Sequence, residues 1–341
     1  MTQSNAVKRI RIALDVMGGD LGPPELVKGA IEAARRSDVE MLLVGDKAPV
    51  ELELAKYNAR ELSIRIVPSE GKILDDEHPI FGLRHKPQSS ISVCTKLLRD
   101  GQADAVISMG STGASMASAT LDLGLMEGLE RPALGGNFLG QASNVVLVDL
   151  GASVDCRPRQ LLDFGVLGCV FAEKFLNVPN PRVGLLSVGS EEAKGNRQVR
   201  ETQELFKKSG LNYIGNVEGF DFFTGKADVI VCDGFVGNVV LKFAEGMVKA
   251  MFRYAQQEMS KSVLLGMFSP MLNQLREKAS LSTRTGAPLF GVNGVVIIGH
   301  GASRAEAVVG SVATVRLCIE RGLVENTKAE LAQIRSKIGN G

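Results

Sequence analysis

The stretch Ile10-Arg-Ile-Ala-Leu-Asp-Val-Met-Gly-Gly-Asp20 opens the pattern that decides the fold. An apolar run ends at Asp15, a glycine-rich turn follows, and an amphipathic segment begins near Pro24. A short run that is apolar throughout is typical of a strand that is covered on both faces. The stretch therefore predicts a strand, a tight turn and a helix, which is one repeat of an α/β sheet.

The same order recurs along most of the chain. Apolar runs predict strands at Ile10–Asp15, Met41–Gly45, Leu62–Val67, Asp104–Met109, Asn144–Leu150, Val183–Val188, Ala227–Cys232 and Gly294–Ile298. Amphipathic stretches predict helices at Pro24–Arg36, Ser89–Asp100, Thr112–Glu127, Gln160–Phe175, Asn196–Ser209 and Ser303–Arg321. Such alternation predicts a three-layer α/β/α sandwich around a mostly parallel sheet.

The sequence after Phe235 departs from this alternation. A long helical pattern, a short apolar break and a further helical pattern predict an inserted helical hairpin over about 236–284. The first limb carries apolar side chains at near-helical spacing, which usually lie in a core: Val239, Val240, Phe243, Met247, Met251 and Phe252. We expect residues 8–325 to form a single domain and residues 326–341 to add a helical tail.

Composition narrows the class of protein. The 341 residues are 45% hydrophobic, enough for a large core without disulfides or metal. The 39 Lys and Arg nearly balance the 38 Asp and Glu, which argues against a nucleic-acid binder with a basic surface. The chain has no Trp and 5% aromatic residues, so base-stacking platforms are not expected.

The spacing of the cysteines and the sequence of the N-terminus indicate in which cellular compartment the protein works. The five Cys form no C-x-x-C pair, which favours a reducing cytosol over a disulfide framework or a zinc site. Charged residues interrupt the N-terminus before any signal-peptide apolar region, and no apolar run approaches the ~18 residues of a membrane span. We therefore expect a soluble, cytoplasmic protein.

Glycine-rich turns follow six of the predicted strands, at Asp15–Asp20, Ser108–Ala114, Asp149–Ala152, Ser187–Asn196, Asp233–Asn238 and Gly299–Ser303. In open α/β sheets ligands bind at the carboxyl ends of strands, where these turns lie. None of them fits the dinucleotide G-x-G-x-x-G, the Walker A loop or the G-x-S-x-G nucleophile elbow. These turns are therefore predicted to bind an anion and not a nucleotide.

Three turns are candidate phosphate sites. Lys194, Gly195 and Asn196 offer an ammonium and backbone N–H groups at a helix start, although Lys194 also suits a solvated loop lysine beside two glutamates. Ser111, Thr112 and Gly113 offer backbone N–H groups and hydroxyls at another helix start, where a plain N-cap is the alternative. The turn after the first strand adds further candidates: Gly18, Gly19 and Asp20.

Five residues are candidates for catalysis: Lys194 of the phosphate turn and four residues of later turns. Asn238 and Lys242 lie one helical turn apart and can face one ligand, or they are a capping Asn and a surface lysine. His300, between two glycines, can donate to an oxyanion or a phosphate, or it is a hydrogen-bonded structural His. Asp233 either orients a neighbour or holds a turn. The cysteines are interpreted as small buried apolar residues.

Taken in order, these turns resemble the bacterial phosphate acyltransferases of phospholipid synthesis. The matching stretches are Ile12–Asp20, Arg84–Ser90, Ser111–Ala114, Val148–Ala152, Pro181–Leu186, Glu191–Asn196, Gly215–Gly219, Val231–Lys242 with Glu245-Gly246, and Gly286–Gly294. They span about Ile10 to Arg321, which identifies residues 8–325 as a single phosphate acyltransferase domain. Departures from the family pattern are small: Leu21, Gln88 and Ser111 stand where His, Asp and Asn are frequent.

The resemblance implies transfer of a long-chain acyl group from acyl carrier protein to inorganic phosphate, without a cofactor. It also implies a homodimer whose acyl phosphate product passes to a membrane acyltransferase that acylates glycerol 3-phosphate. Inorganic phosphate is already a nucleophile, so the protein needs to position it and to stabilise charge on the carbonyl oxygen. We expect Lys194, Asn196 and the Ser111–Gly113 backbone to hold phosphate. Asn238, Lys242 and His300 would orient it or polarise the carbonyl.

The predicted hairpin carries a local positive charge. From Leu241 to Arg284 there are seven Lys and Arg against three Glu, which suits an acidic carrier protein or an anionic lipid surface at the inner face of the cell membrane. The expected contact residues are Lys249, Arg253, Lys261, Leu264, Leu265, Phe268, Arg276 and Lys278. A dimer contact or a buried turn is the alternative for the apolar segment Val263–Phe268.

Three other functions remain open. A phosphate acyltransferase of the phosphotransacetylase type would use coenzyme A thioesters and would not need a carrier-protein surface. A scaffold without catalysis would bind carrier protein or membrane, although it has no need of the Lys194–Asn196 turn. A dehydrogenase of similar architecture lacks a dinucleotide fingerprint.

Overall fold

A computed structural model describes residues 9–138, 145–261, 270–271, 274 and 285–339. Its strands are β1 (Ile10–Asp15), β2 (Val39–Gly45), β3 (Ile64–Pro68), β4 (Ala105–Ser108), β5 (Ala133–Phe138), β6 (Val145–Val148), β7 (Val183–Leu186), β8 (Tyr213–Val217), β9 (Val229–Val231), β10 (Ala287–Phe290) and β11 (Val295–Ile298). Its helices are α1 (Gly22–Arg36), α2 (Lys47–Leu54), α3 (Pro79–His85), α4 (Ser90–Arg99), α5 (Thr112–Leu123), α6 (Pro158–Phe175), α7 (Arg197–Ser209), α8 (Gly234–Ser260), α9 (Ala305–Glu320) and α10 (Leu323–Gly339).

The described residues form two compact units. The first takes in 9–124, 285–288 and 292–320, and the second takes in 125–138, 145–261, 289–291 and 321–339. Each unit is a mostly parallel sheet with helices packed on it. The predicted α/β fold is therefore confirmed.

The sheet of the first unit has the order β3-β2-β1-β4-β11, and every one of these pairs is parallel. The middle residues of β1, Ile12 to Leu14, are fully buried, and since successive side chains of a strand point to opposite faces, both faces of β1 are covered. Burial on both faces is why β1 is apolar at consecutive positions and does not alternate. At the β11 edge, Ala287 and Pro288 of β10 pair antiparallel with Ile298 and Ile297.

The sheet of the second unit has the order β5-β6-β9-β7-β8, in which only β5 pairs antiparallel. The buried helix α6 lies on this sheet at close range because it carries glycine where a side chain would collide. A Cβ on Gly168 would lie 2.6 Å from Val229 Cγ1, and one on Gly165 would lie 2.5 Å from the ring of Phe206. Residues 326–339 of the predicted tail belong to α10, in which Leu331 and Ile334 are buried, and residues 340–341 lie outside the described residues.

Helix α8 confirms the first limb of the predicted hairpin as one helix of 27 residues. The expectation that its apolar residues lie in the core is wrong for four of them: Val239, Phe243, Met247 and Met251 are 43–68% exposed. Val240, Leu241 and Ala244, within the first three turns of the helix, are the ones that pack on the core. We call the exposed residues Phe235, Val239, Phe243, Met247 and Met251 the apolar stripe of α8.

The rest of the predicted hairpin lies largely outside the described residues, including Leu264, Leu265, Phe268, Arg276 and Lys278. Within the described ranges, no helix combines the length and the apolar character that crossing a bilayer requires.

Candidate active site

The turn from Ser187 to Asn196 joins β7 to α7 and carries the strongest anion-binding candidate. Asn196 is the N-cap of α7, since its Oδ1 accepts a hydrogen bond from Val199 N at 2.9 Å. Gly195, which has a φ of +105°, lies between this cap and the ammonium-bearing Lys194. The turn therefore presents a cation and the free N–H groups of a helix start together.

Lys194 is exposed and keeps its charge free. The sequence left open that Lys194 is a solvated loop lysine beside two glutamates, and its exposure agrees with that alternative as well. Of the two glutamates, Glu192 pairs with Lys207 of α7. Among the residues that the structure describes, no carboxylate forms an ion pair with Lys194. Its ammonium is thus available to an anionic ligand.

Two buried amides fix the shape of this turn. Asn216, 3% exposed at the end of β8, donates from Nδ2 to Glu191 O at 2.9 Å and to Lys194 O at 3.3 Å. Gln203 of α7 donates to Asn216 Oδ1 at 3.1 Å and to Glu192 O at 3.2 Å. Neither residue is predicted from the sequence, because their role depends on strands and helices that are distant in the chain.

A second turn of the same unit positions Asn238. Asp233 follows β9 and is the N-cap of α8, with Val236 N donating to its Oδ1 at 2.8 Å. Of its two predicted roles, holding a turn is therefore the one observed. Asn238 is exposed in the second turn of α8, beside Gly151, where a Cβ on Gly151 would lie 3.4 Å from Asn238 Cβ. Asn238 is not the capping residue, and its amide is open to a ligand.

Lys242 follows one turn later on α8 and is exposed. Its ammonium lies 3.2 Å from Glu245 Oε2, so its charge is partly neutralised. Lys249, Arg253 and Lys261 are exposed farther along the helix. The turn after β6 and the start of α7 also meet, since Gln198 Nε2 donates to Cys156 O at 2.5 Å.

In the first unit, the turns after β1 and β4 touch each other. A Cβ on Gly18 would lie 2.7 Å from Gly110 N, a distance that only glycine tolerates. Asp15, which is buried, holds both turns: its carboxylate accepts hydrogen bonds from Gly18 N at 2.9 Å and from Ser108 Oγ at 2.8 Å. Burial raises the pKa of Asp15, and these donors oppose that shift.

The turn after β11 joins them. Asp20 N donates to Gly301 O at 2.8 Å, and Gly19 adopts a φ of +71° against the same carbonyl. The neighbouring His300 is exposed, and its Nδ1 accepts a hydrogen bond from Ala302 N at 3.2 Å. In the neutral ring the proton therefore lies on Nε2, which can donate to a ligand.

The remaining candidates of the first unit begin α5. Ser111 is the N-cap, with Ala114 N 3.5 Å from its Oγ, so the capping role that the sequence left open is observed. Thr112 is the first helical residue, and Gly113 lies against Pro79, where a Cβ would meet Cγ at 2.9 Å. Lys72, which is not predicted from the sequence, donates from its half-buried ammonium to Gly19 O at 2.9 Å.

The cysteines are interpreted correctly as buried apolar residues, since all five are buried and none is paired. Burial raises the pKa of Cys156, Cys169 and Cys318 to about 12, so their thiols are protonated at neutral pH. Within the described ranges, no group of three His, Cys, Asp or Glu is placed to hold a metal ion.

The chain is similar to known proteins over nearly its whole length. Residues 10–326 match the family described as "Fatty acid synthesis protein". The "Phosphate acyltransferase" of Pelotomaculum thermopropionicum is 44% identical over 336 residues, which cover 97% of this chain and 98% of that protein. The "Phosphate acyltransferase" of Dictyoglomus turgidum is 45% identical over 306 residues, 88% of this chain and 91% of that protein.

A solved structure with the same fold is the phosphotransacetylase of Streptococcus pyogenes. It superimposes with a TM-score of 0.63 at 18% identity, over 92% of this chain and 95% of that one. Sequence identity at this level supports the shared fold and nothing finer.

Proposed function

Because the chain belongs to the fatty acid synthesis protein family that contains the phosphate acyltransferases, we propose that it transfers an acyl group from a thioester to inorganic phosphate. Membership of this family makes the chain an acyltransferase. The single observation of geometry that supports phosphate as acceptor is the Lys194 ammonium, free of carboxylates at the start of α7.

The proposed reaction balances without a cofactor. An oxygen of hydrogen phosphate attacks the thioester carbonyl carbon, and the new C–O bond gives a tetrahedral oxyanion. Collapse of that intermediate breaks the C–S bond, and the leaving thiolate takes the proton that hydrogen phosphate brought. The products are acyl phosphate and a free thiol.

In this reaction the second unit supplies the phosphate and carbonyl contacts. Lys194 and the N–H groups at the start of α7 would hold phosphate by charge and hydrogen bonds. The amide of Asn238 would donate to the oxyanion, which is where a positioned donor lowers the barrier most. The turns of the first unit, with Gly18, Ser111 and His300, remain candidates for a further anion contact.

The acyl donor is proposed to be a long-chain acyl carrier protein, with coenzyme A thioesters as the alternative. The support is the charge of α8, where Lys249, Arg253 and Lys261 are exposed and suit an acidic partner. Release of free thiol from palmitoyl-carrier protein, measured beside palmitoyl-coenzyme A, tests it. Phosphate-dependent release that favours the carrier protein would support the proposal, and release from coenzyme A alone would select the alternative.

Two variants of Asn196 distinguish its role as a helix cap from its proposed role in phosphate binding. Asn196→Ala is expected to lower the free energy of unfolding by about 1 kcal/mol, because Val199 N loses its acceptor. Asn196→Asp keeps the cap but places a carboxylate at the phosphate turn, so stability should hold while the KM for phosphate rises. Urea unfolding and initial rates against phosphate concentration measure the two effects. An unchanged KM in both variants would remove Asn196 from the phosphate site.

A homodimer is proposed to form through the apolar stripe of α8. Phe243 is 68% exposed and Met251 is 63% exposed, and a contact between two copies of α8 would remove these side chains from solvent. Phe243→Glu should therefore convert a dimer to a monomer in sedimentation equilibrium, whereas Lys249→Ala on the other side of the helix should leave the mass unchanged. A wild-type monomer, or a dimer that survives Phe243→Glu, would contradict the assignment.

A transient contact with the inner face of the cell membrane is also proposed, where a membrane acyltransferase would take up the acyl phosphate. The support is the excess of basic residues between Leu241 and Arg284. Flotation with anionic vesicles, compared with neutral ones, tests this contact.

A further inference from the structure

We propose that Asp149 is a positioning residue that sets the place of Asn238 for the reaction. The inference rests on the proposed function, in which Asn238 donates to the oxyanion. Asp149 itself is fully buried at the end of β6, so its carboxylate does not reach a substrate. Its effect on catalysis must pass through the groups that it holds.

The carboxylate of Asp149 organises the turn that follows β6. Its Oδ1 accepts hydrogen bonds from Gly151 N at 3.1 Å and Ala152 N at 3.0 Å, and its Oδ2 accepts one from Ser153 N at 2.6 Å. A further bond from Leu134 N, at 2.9 Å, ties the same carboxylate to β5. Four backbone donors thus converge on one side chain, and they fix the turn in a single shape.

The turn that follows β6 also fixes the start of α8. Gly234 N donates to Ser153 O at 2.7 Å, directly after the N-cap of the helix. A Cβ on Gly237 would lie 1.8 Å from Asp149 O, so the helix backbone lies directly on the Asp149 backbone. On the next residue, Asn238, the side chain packs against Gly151. The path from the Asp149 carboxylate to Asn238 therefore runs through two short backbone contacts.

The four hydrogen bonds to Asp149 depend on whether its carboxyl group is ionised. Burial raises the pKa of Asp149 to about 6, while the four N–H donors act in the other direction. The other ionisable groups around Asp149 are Asp233, Arg131 and the thiols of Cys156 and Cys232. Above pH 6 the ionised carboxylate accepts all four N–H groups. Below pH 6 a protonated carboxyl is a weaker acceptor, and the turn loosens.

Asp149→Asn tests the proposal because it removes the charge and replaces one acceptor oxygen with a donor, at nearly constant volume. We expect kcat to fall by about 100-fold, the effect of misplacing a catalytic group by about 1 Å, with the KM for phosphate changed by less than about threefold. Asn238→Ala alone should show a comparable loss. The double variant should be no slower than Asn238→Ala, because both changes remove the same contribution.

Asp163→Asn is the matched control. Asp163 is a second buried aspartate of the same unit, its pKa is also raised to about 6 by burial, and its ion pairs go to Arg159 and Arg335 on helices α6 and α10. This variant should keep the wild-type kcat. The ratio of the wild-type rate to the Asp149→Asn rate should also fall as pH drops through about 6, whereas the ionisation of phosphate affects both proteins equally and cancels.

Losses that multiply in the double variant would overturn the proposal, because Asp149 would then act independently of Asn238. A pH-independent rate ratio would also count against it. If Asp149→Asn does not fold, Gly151→Ala takes its place. Gly151 has a φ of +133°, which alanine rarely adopts, so the backbone beside Asn238 must shift, and this change should likewise add nothing to Asn238→Ala. Amide hydrogen exchange separates failure of the inference from failure of the proposed function. Faster exchange at 151–153 and 234–238 in Asp149→Asn is expected whatever the substrate, and unchanged exchange would refute the positioning role.

Discussion

Replacing Lys194 with alanine is expected to lower kcat/KM for phosphate by about 10- to 100-fold, mainly through KM. The reason is that a hydrogen bond to a charged group contributes about 1.5–3 kcal/mol, and each 1.4 kcal/mol is about a factor of ten. Lys194 has no competing carboxylate among the described residues, so its whole charge is available to phosphate. Initial rates against phosphate concentration at saturating thioester measure the change.

Lys208→Ala is the control for this prediction. Lys208 is exposed in the last turn of α7, so its loss removes the same charge from the same unit but away from the turn. Its kcat/KM should stay within about twofold of wild type. If Lys194→Ala leaves the KM for phosphate unchanged, Lys194 does not belong to the site.

Gly237→Ala is expected to destabilise the protein by at least about 3 kcal/mol, at the upper end of overpacking costs. The new Cβ would lie 1.8 Å from Asp149 O, and it would meet backbone and not a side chain that can rotate away. The helix start and the turn after β6 must therefore separate, which breaks the bond from Gly234 N to Ser153 O as well. The midpoint of urea unfolding measures the loss.

Gly219→Ala is the matched glycine change in the same unit. A Cβ at Gly219 would meet nothing within 4 Å, and the residue is exposed. Its stability should stay within about 0.5 kcal/mol of wild type. A Gly237→Ala protein as stable as Gly219→Ala would show that α8 does not begin against Asp149.

The fold follows from the sequence wherever local pattern and burial agree. β1 has the bounds that its apolar run predicts, because a strand covered on both faces carries apolar residues at every position. β5 was missed because Gly135 and Gly136 interrupt it. The reason for Gly135 lies far away in the chain: a Cβ there would be 2.5 Å from the ring of Phe290 on β10.

The end of a helix and its buried face also depend on structure that the local apolar pattern does not reveal. α5 ends at Leu123, earlier than the predicted Glu127, because Gly124 adopts a φ of +72°. In α8 the apolar residues Val240, Phe243, Met247 and Met251 follow one another along one face. Their periodicity does not indicate how much of that face the rest of the protein covers. Only packing on the rest of the second unit shows that Val240 is inside and Phe243 outside.

The candidate site is predictable as a set of turns but not as a set of roles. Lys194, Asn196 and Asn238 are candidates because glycine-rich turns at strand ends are typical of ligand sites. The residues that hold those turns in shape, Asn216 and Asp149, were not chosen, since nothing in the local sequence reveals which backbone groups they bind. Capping by Asn196 and Asp233 emerged only from the distances to the helix N–H groups.

The central claim is that inorganic phosphate is the acyl acceptor. The most direct test is to incubate the protein with palmitoyl-carrier protein and [32P]phosphate, and to count label in the lipid-soluble product against free thiol. The account predicts one phosphate incorporated for each thiol released, and no release when phosphate is omitted. Thiol release without incorporation of label would contradict it, because the thioester would then be transferred to water.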